Sequence, residues 1–539
     1  MKKLIIWGII ALAFFLRFYR LADYPALNAD EAAIGYNAYS LLTTGKDEHG
    51  NSWPIHFESF NDYKPGLYFY LVLPFVKILG LTELAVRIPG AALGVLTVLV
   101  LYLLVKELKI GNWKLEIVAS FFLAISPWHL HFSRGGWEVN AATFLIVLGL
   151  WLFFKALKNP KYFIFSISVF VLSLYAYHAA RIIVPLLGLG LLLIYRNKLG
   201  RDMKMFGVSA ALGLIILFPL VRDFTKGAVA SRVAGVGLFA DPGPLSRINE
   251  QRGEHEDFQG AGARLLHNKA VNYGLAFLEN WADHFWGEFL FLSGDDIERN
   301  KVPETGQLYI FELLFVLAGL AAIAKNSKNW SAVLIWLVVS PLAAALTFQS
   351  PHALRAQNMV IPLTVISGYG FMKILELLGK IQGKKLSQIA KIALFLMIVW
   401  GFARYEHMYW IHLAKEYSFS SQYGLKELVG YVSENQDNYQ KIWVTDRYDQ
   451  PYILLLFYMK YPPEKFQVNH ILTPRDKFGF STVRDFDKYH FEAVDFDTIR
   501  PENPNSLIVG TDEEIPIEAN IVKKVYGANG HLYFEAVAN

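Results

Sequence analysis

The 539-residue chain contains no cysteine. Disulfides, thiolate metal sites and a cysteine nucleophile are therefore excluded, and the redox compartment leaves no trace. Charge is scarce: Asp, Glu, Lys and Arg make up 18% of residues, against roughly 25% in soluble domains. The net charge is only +4, and no basic tract carries interleaved aromatics, so nothing points to nucleic acid. The zinc-protease helix motif, the phosphate loop and the dinucleotide glycine motif are absent. A nucleotide-sugar donor thus has no recognisable docking site. Met1-Lys2-Lys3 and the apolar run behind them have the look of a signal peptide. Arg17, Phe18, Tyr19 and Arg20 follow instead of a small-residue cleavage site, so an uncleaved first span is expected.

What the chain has in abundance is apolar surface: 54% hydrophobic and 15% aromatic residues. Up to about residue 410, long apolar runs alternate with short charged loops; beyond it the composition is that of a soluble domain. Two domains follow, a transmembrane one over 1–410 and a soluble α/β one over 411–539. A spanning helix needs about 20 mostly apolar residues, because lipid cannot satisfy backbone polar groups. The candidates are 4–19, 86–104, 115–133, 140–157, 162–179, 182–195, 205–221, 307–324, 331–348, 358–378 and 390–410. The expected fold class is an all-α polytopic bundle of about eleven spans, followed by the C-terminal α/β domain.

The stretch 66–80 is short and carries Pro74 and Lys77. If it does not cross, and Lys2 and Lys3 lie inside, every inside loop is basic: Lys106, Lys109 and Lys114; Lys155, Lys158 and Lys161; Arg196, Lys198, Arg201 and Lys204; Lys325 and Lys328; Lys380, Lys384, Lys385 and Lys391. If it crosses, every later loop inverts. The segment is therefore expected to be an interfacial or re-entrant helix. The N-terminus is then cytoplasmic and the tail extracytoplasmic, in a multi-pass protein of the plasma membrane. Outer loops 20–85 and 222–306 are the largest, and the glycine- and charge-rich stretch 234–264 is a candidate mobile lid. Span interiors are nearly free of charge, unlike those of ion-coupled transporters.

The polar residues gather at the outer interface. Asn28-Ala29-Asp30-Glu31 follows the first span. Adjacent acids commonly mark a solvated helix start, but an Asp here can also take a proton from a hydroxyl. Lys64-Pro65 precedes the 66–80 helix, with Pro65 suited to its first turn. Lys64 reads either as a snorkelling anchor or as a phosphate ligand. Arg134 and Glu138 follow Ser126-Pro127, His178 and Arg181 share one turn, and His352 and Arg355 another; His284 lies in the long loop. Each alone suits an interfacial anchor, and Arg134 and Glu138 could simply pair. Several cations and acids on one side, between charge-free helices, are more than anchoring asks for. His129-x-His131 and Asp283-His284 make no convincing metal set.

The order of these motifs resembles the GT-C membrane glycosyltransferases. It includes the acidic pair after span one, the Lys-Pro dipeptide, Val86-Arg87-Ile88-Pro89-Gly90-Ala91 opening a span, and Ser126-Pro127 before an Arg-containing turn. The likeness is to protein O-mannosyltransferases and the lipid A aminoarabinose transferase, over about residues 1–380 and most strongly over 1–190. It implies transfer of a sugar from a polyprenyl-phosphate carrier to a hydroxyl acceptor outside the cytoplasm, with inversion. Asp30 is then the catalytic base and Glu31 its catalytic neighbour, Lys64, Arg134, Arg181 and Arg355 are the donor-phosphate contacts, and Glu138, His178, His284 and His352 contact substrate. Glu138 stands where relatives often carry Asp, and Gly66 replaces the second proline of a Lys-Pro-Pro element. No cofactor is implied. A divalent metal held by Asp30 and Glu138 is the alternative, as oligosaccharide-transferring cousins use one. A lipid-linked sugar flippase and a non-catalytic scaffold displaying the tail are the rival readings. In the tail, Tyr423–Glu434 has helical spacing, and Lys441–Thr445, Ser506–Thr511 and Leu532–Val537 read as strands; it either binds acceptor or caps the outer face.

Overall fold

The computed structural model describes residues 2–60, 62–199, 203–224, 235–475 and 481–539. Arg201 of the basic loops, Asn61 of the Lys64 segment and residues 225–234 of the long loop lie outside them. The chain divides into two compact units. One comprises 1–16, 93–132 and 139–406; the other comprises 17–92, 133–138 and 407–539. This partition differs from the sequence boundary at residue 410, because the first outer loop clusters with the tail.

In chain order the first helices are α1 (Lys2–Phe18), α2 (Ala29–Thr44), α3 (Leu67–Leu79), α4 (Glu83–Leu108), α5 (Trp113–Ile125), α6 (Pro127–Ser133), α7 (Glu138–Ala156), α8 (Tyr162–Leu174), α9 (Ala180–Leu199) and α10 (Met203–Phe224). Later apolar helices are Glu312–Lys325, Ser331–Val339, Val360–Leu378 and Lys384–His407. Each apolar stretch read from the sequence lies on one of them. Among the described residues, 6 helices are long and apolar enough to cross a membrane, and the α5–α6 pair, bent by 56°, makes a seventh. The bend falls at Ser126-Pro127, where proline removes a backbone donor. α3, with Pro74 inside it, is only 13 residues long, too short for an upright span.

The first unit shows an apolar exterior where a soluble protein would be polar. On α10, Leu214 is 67% exposed, Ile215 68% and Phe218 66%, which suits a lipid-facing surface. Inside, small residues let helices approach: a Cβ on Gly370 would lie 1.7 Å from the Phe315 carbonyl oxygen, the close packing that drives helix association in membranes. The stretch 234–264, expected as a mobile lid, is helical over Gly243–Gly253 and Ala261–Leu266.

The second unit is built on a 7-stranded sheet of β3 (Lys441–Val444), β4 (Ile471–Leu472), β5 (Val483–Phe486), β6 (Tyr489–Phe491), β7 (Ser506–Gly510), β8 (Ile521–Tyr526) and β9 (Leu532–Ala538), preceded in the chain by a hairpin of β1 (His56–Ser59) and β2 (Asp62–Pro65). The order is β4-β5-β6-β3-β7-β9-β8. β3 runs parallel to β6 and β7, and the other pairs are antiparallel. Val494, Phe496, Ile499, Ile508, Ile515 and Val537 form a core on this sheet. α2 packs on helices Pro451–Tyr458 and Pro463–Asn469. Gln467 Nε2 fastens its C-terminal end by donating to Ser40 Oγ (3.0 Å), Thr44 Oγ1 (3.1 Å) and the Asp47 carbonyl (2.8 Å). The tail therefore braces the helix that carries the acidic pair.

Candidate active site

The second unit holds the acids. Asn28 caps α2 in a reciprocal box: its Oδ1 accepts the Glu31 N–H at 3.0 Å, and Glu31 Oε2 accepts the Asn28 N–H at 3.4 Å. Asp30 and Glu31 thus sit in the first helical turn, where the helix dipole favours carboxylates. They point to different partners. Glu31 turns inward, where Arg87 Nε donates to Oε1 at 2.7 Å, Arg87 Nη2 to Oε2 at 2.8 Å and the Gly136 N–H to Oε1 at 2.8 Å. Arg87 also donates to the carbonyls of Leu21 (3.1 Å), Pro25 (2.9 Å) and Ala26 (3.1 Å). Both side chains are buried. Expected as the catalytic neighbour of Asp30, Glu31 instead has both oxygens engaged and anchors the helix start.

Asp30 remains partly open and forms an ion pair with Lys64 Nζ. Lys64 was expected at the start of a helix; it lies on β2 opposite Phe57, because Pro65 ends a strand rather than opening α3, whose first flanking residue is Gly66. The Phe60 ring lies 5.0 Å beneath the ammonium. Glu138, the first residue of α7, is buried, and the charges of Lys64 and Asp30 both act on it. Asp30, Lys64 and Glu138 are thus brought together from three segments that are well separated in sequence.

A fourth group escaped the sequence reading. Glu48 is fully buried; its Oε1 accepts Asn37 Nδ2 at 3.1 Å and its N–H donates to Asn37 Oδ1 at 2.9 Å. Its Oε2 has no partner among the described residues. Burial raises this carboxyl to about 8, against the opposing pull of Lys64. In sequence, Asp47-Glu48-His49-Gly50 looks like a solvated turn, so nothing marked it.

The motif around Arg87 gains a structural reason. The Tyr68 hydroxyl fastens α3 to the first turns of α4, taking the Gly90 N–H at 3.0 Å and donating to the Val86 carbonyl at 3.0 Å. A Cβ on Gly90 would stand 2.7 Å from the Gly135 carbonyl oxygen, so a larger residue would push apart the segments that meet at Glu31. Arg134, expected on a phosphate, is taken up by the protein. It donates to the Tyr409 hydroxyl (3.0 Å) and to the carbonyls of Arg17 (3.3 Å), Tyr19 (2.8 Å) and Tyr24 (3.4 Å), and covers the Trp410 ring at 4.8 Å.

The first unit holds the other cations. Arg181, His178 and Arg355 line a cavity of about 390 Å³ whose remaining wall is largely apolar, including Phe224, Leu238, Phe239 and Leu346. Arg181 donates Nη1–H to His178 Nδ1 at 2.7 Å, and Arg355 donates to Thr347 Oγ1 at 2.6 Å. Two guanidiniums in an apolar chamber suit an anion attached to a hydrocarbon chain. His284 and His352, expected on substrate, do not line this cavity. His284 Nδ1–H donates to the Asn280 carbonyl at 2.7 Å, and its Nε2 accepts the His352 N–H at 3.1 Å. Burial lowers His284 to about 4, so this ring stays neutral and keeps that acceptor. Asp295 Oδ2 accepts the Ala353 N–H at 2.6 Å, and the Trp128 indole N–H reaches the Ala353 carbonyl at 3.0 Å. Together these contacts fix the turn that presents Arg355. Among the described residues no three His, Asp or Glu side chains are placed to hold a metal ion.

Residues 63–222 match the dolichyl-phosphate-mannose-protein mannosyltransferase family. An uncharacterized protein of Aquifex aeolicus is 25% identical over 174 residues, 32% of this chain and 34% of that protein. The match thus spans about a third of this curated relative's length. Among solved structures, ArnT from Cupriavidus metallidurans, bound to undecaprenyl phosphate, aligns with a TM-score of 0.55 at 10% identity, covering 98% of this chain and 97% of that one. The oligosaccharyltransferase AglB from Archaeoglobus fulgidus, in complex with an inhibitory peptide and a dolichol-phosphate, aligns with a TM-score of 0.51 at 13% identity, covering 84% and 63%. The fold is that of the GT-C membrane glycosyltransferases, as the motif order implied.

Proposed function

We propose that this integral membrane protein transfers a sugar from a polyprenyl-phosphate carrier to a hydroxyl acceptor at the extracytoplasmic face of the membrane. The observation that carries the reading is the ion pair of Asp30 with Lys64 on a capped helix start, with Glu138 in electrostatic reach. An ionised Asp30 accepts the acceptor's proton as its oxygen attacks the anomeric carbon. The bond from that carbon to the phosphate oxygen breaks, and the polyprenyl phosphate leaves with the electron pair. One displacement with one base inverts the anomeric centre. Fixed cations stabilise the charge that develops on the leaving phosphate. Lys64 serves from the acid cluster; the cavity lined by Arg181 and Arg355, whose apolar wall suits an isoprenoid chain, is a separate anion site. This assigns charge neutralisation to protein cations and asks for no dissociable cofactor.

The lipid phosphates bound by ArnT and AglB support this donor class. The basic loops support an N-terminus in the cytoplasm and a tail outside. The clustering of acids with Lys64 speaks against a scaffold, which requires none of it. The test is consumption of a panel of polyprenyl-phosphate sugars by the purified protein in bilayers, with nucleotide sugars as comparison. Sugar released or transferred only from the lipid-linked donors is expected. Lipid-linked sugars moved across the bilayer intact, with none consumed, would establish a flippase instead.

A further inference from the structure

The helix Lys269–Asp283 in the long loop has two unlike faces. Val271, Leu275, Leu278 and Ala282 fall in one stripe, within about 60° of arc at about 100° per residue. All four are exposed, Leu275 by 59% and Leu278 by 57%. The opposite face is fastened to the protein. The Tyr273 ring lies 5.0 Å from the Phe239 ring, and its hydroxyl donates to the Asp241 carbonyl at 3.2 Å. Asn280 Nδ2 donates to the Thr347 carbonyl at 3.0 Å, and the Trp281 indole N–H to the Val338 carbonyl at 3.0 Å. Val338 lies near the end of the apolar helix Ser331–Val339. An apolar stripe held at the end of such a helix, turned away from the protein, suits the membrane interface.

The same contacts build one wall of the cavity lined by Arg181 and Arg355. Val236 to Phe239 line it and are pinned to the turn carrying Leu346 and Thr347. The Leu238 N–H donates to the Leu346 carbonyl at 2.9 Å, and the Phe348 N–H to the Val236 carbonyl at 3.3 Å. Phe239 therefore serves both the cavity wall and the packing of the interfacial helix. Among the described residues the lining holds two guanidiniums and the His178 ring but no carboxylate; the charges of Asp223 and Asp295 act from outside it. Arg181 covers the Phe224 ring at 4.8 Å, and Arg355 donates to two neutral oxygens, Thr347 Oγ1 at 2.6 Å and Gln349 Oε1 at 3.2 Å. Guanidiniums favour phosphate, and the apolar wall beside lipid favours a phosphate that keeps its hydrocarbon chain.

The geometry points to a second lipid site: the cavity lined by Arg181 and Arg355 takes the phosphate of an anionic lipid from the leaflet in which the helix Lys269–Asp283 lies, in addition to a first lipid phosphate at Lys64. The inference rests on the donor reading above only for that first phosphate. It is tested by counting lipids on the full-length protein in native mass spectrometry, with undecaprenyl phosphate, phosphatidylglycerol and inorganic phosphate as probes. Wild type should hold two undecaprenyl phosphates. Lys64→Gln should lose one; Arg355→Gln should weaken the other roughly tenfold or more, and Arg355→Lys, which keeps the charge, should retain it. Displacement of that second lipid by phosphatidylglycerol supports the site and names a phospholipid as an occupant; resistance to it supports the site for polyprenyl phosphate. Displacement by inorganic phosphate at equal concentration overturns the lipid assignment. A single undecaprenyl phosphate on wild type overturns the inference: lost only in Lys64→Gln it leaves the donor reading standing, and lost only in Arg355→Gln it moves the donor itself into the cavity. Because the chain has no cysteine, a single nitroxide at Leu275→Cys reports the helix position in bilayers. Dissolved oxygen should relax it more than an aqueous nickel chelate does, with the reverse at Lys269→Cys on the other side of the helix. Stronger relaxation by nickel at Leu275→Cys would place the stripe in water and overturn entry from the leaflet.

Discussion

Breaking the Glu31–Arg87 pair offers a sharp test of how the acidic motif is built. In Arg87→Met, Glu31 keeps only the Gly136 and Asn28 N–H groups, and the carbonyls of Leu21, Pro25 and Ala26 lose their donor. Removing one member of a buried pair costs about 3–5 kcal/mol, since the other charge is stranded. Glu31→Gln costs somewhat less, about 2–3 kcal/mol, because Arg87 retains three carbonyl acceptors. The double variant strands no charge, so its loss falls short of the sum by about 2 kcal/mol or more. Chemical unfolding in detergent micelles, followed by tryptophan fluorescence, measures the cycle. Additive losses, or a loss under about 1 kcal/mol in Arg87→Met, would refute a load shared between these two groups. Glu31→Gln that is folded at the assay temperature should also keep most of its turnover, since Glu31 acts through the placement of α2.

Other outcomes follow from the same structure. Because burial holds Glu48 protonated up to about 8 while its ordinary value is 4.5, the unfolded chain ionises first as pH rises. Glu48 then erodes wild-type stability between those two values and not below them. Glu48→Gln should therefore gain stability relative to wild type from pH 5 to 8, by about 3 kcal/mol at pH 7, in unfolding titrations at several pH values; a difference that is flat with pH would contradict it. His284→Ala leaves the His352 N–H without its acceptor, which should cost about 1–3 kcal/mol and weaken undecaprenyl phosphate binding through Arg355. Unchanged melting and unchanged lipid affinity would show that this histidine does not hold the turn.

Much of this was legible in the sequence where a local pattern sufficed. The apolar runs announce helices because lipid admits little else, and β3, β7 and β9 fall on segments whose apolar spacing announces strands. Asp30 and Lys64 could be named from motif order, and they do meet. What stayed hidden depends on partners distant in the chain. Arg87 stood only as part of a motif opening a span, with no partner in view, since its carboxylate lies 56 positions earlier. Arg134 looked free to bind phosphate because its acceptors are mostly backbone carbonyls, which no sequence displays. The hairpin carrying Lys64 was missed because four-residue strands are too short to show alternation, and Pro65 fits a strand end as well as a helix start. Glu48 is unremarkable as a letter; only burial makes its open oxygen conspicuous.

The central claim is that Asp30 takes the acceptor's proton. It is tested most directly by single-turnover transfer from a polyprenyl-phosphate sugar, comparing wild type with Asp30→Asn at matched folding and donor affinity. The account predicts a rate lower by 10²–10⁴-fold in the variant. Equal rates would contradict it and move the base to another carboxylate, with Glu138, on which the charge of Lys64 also acts, tested next.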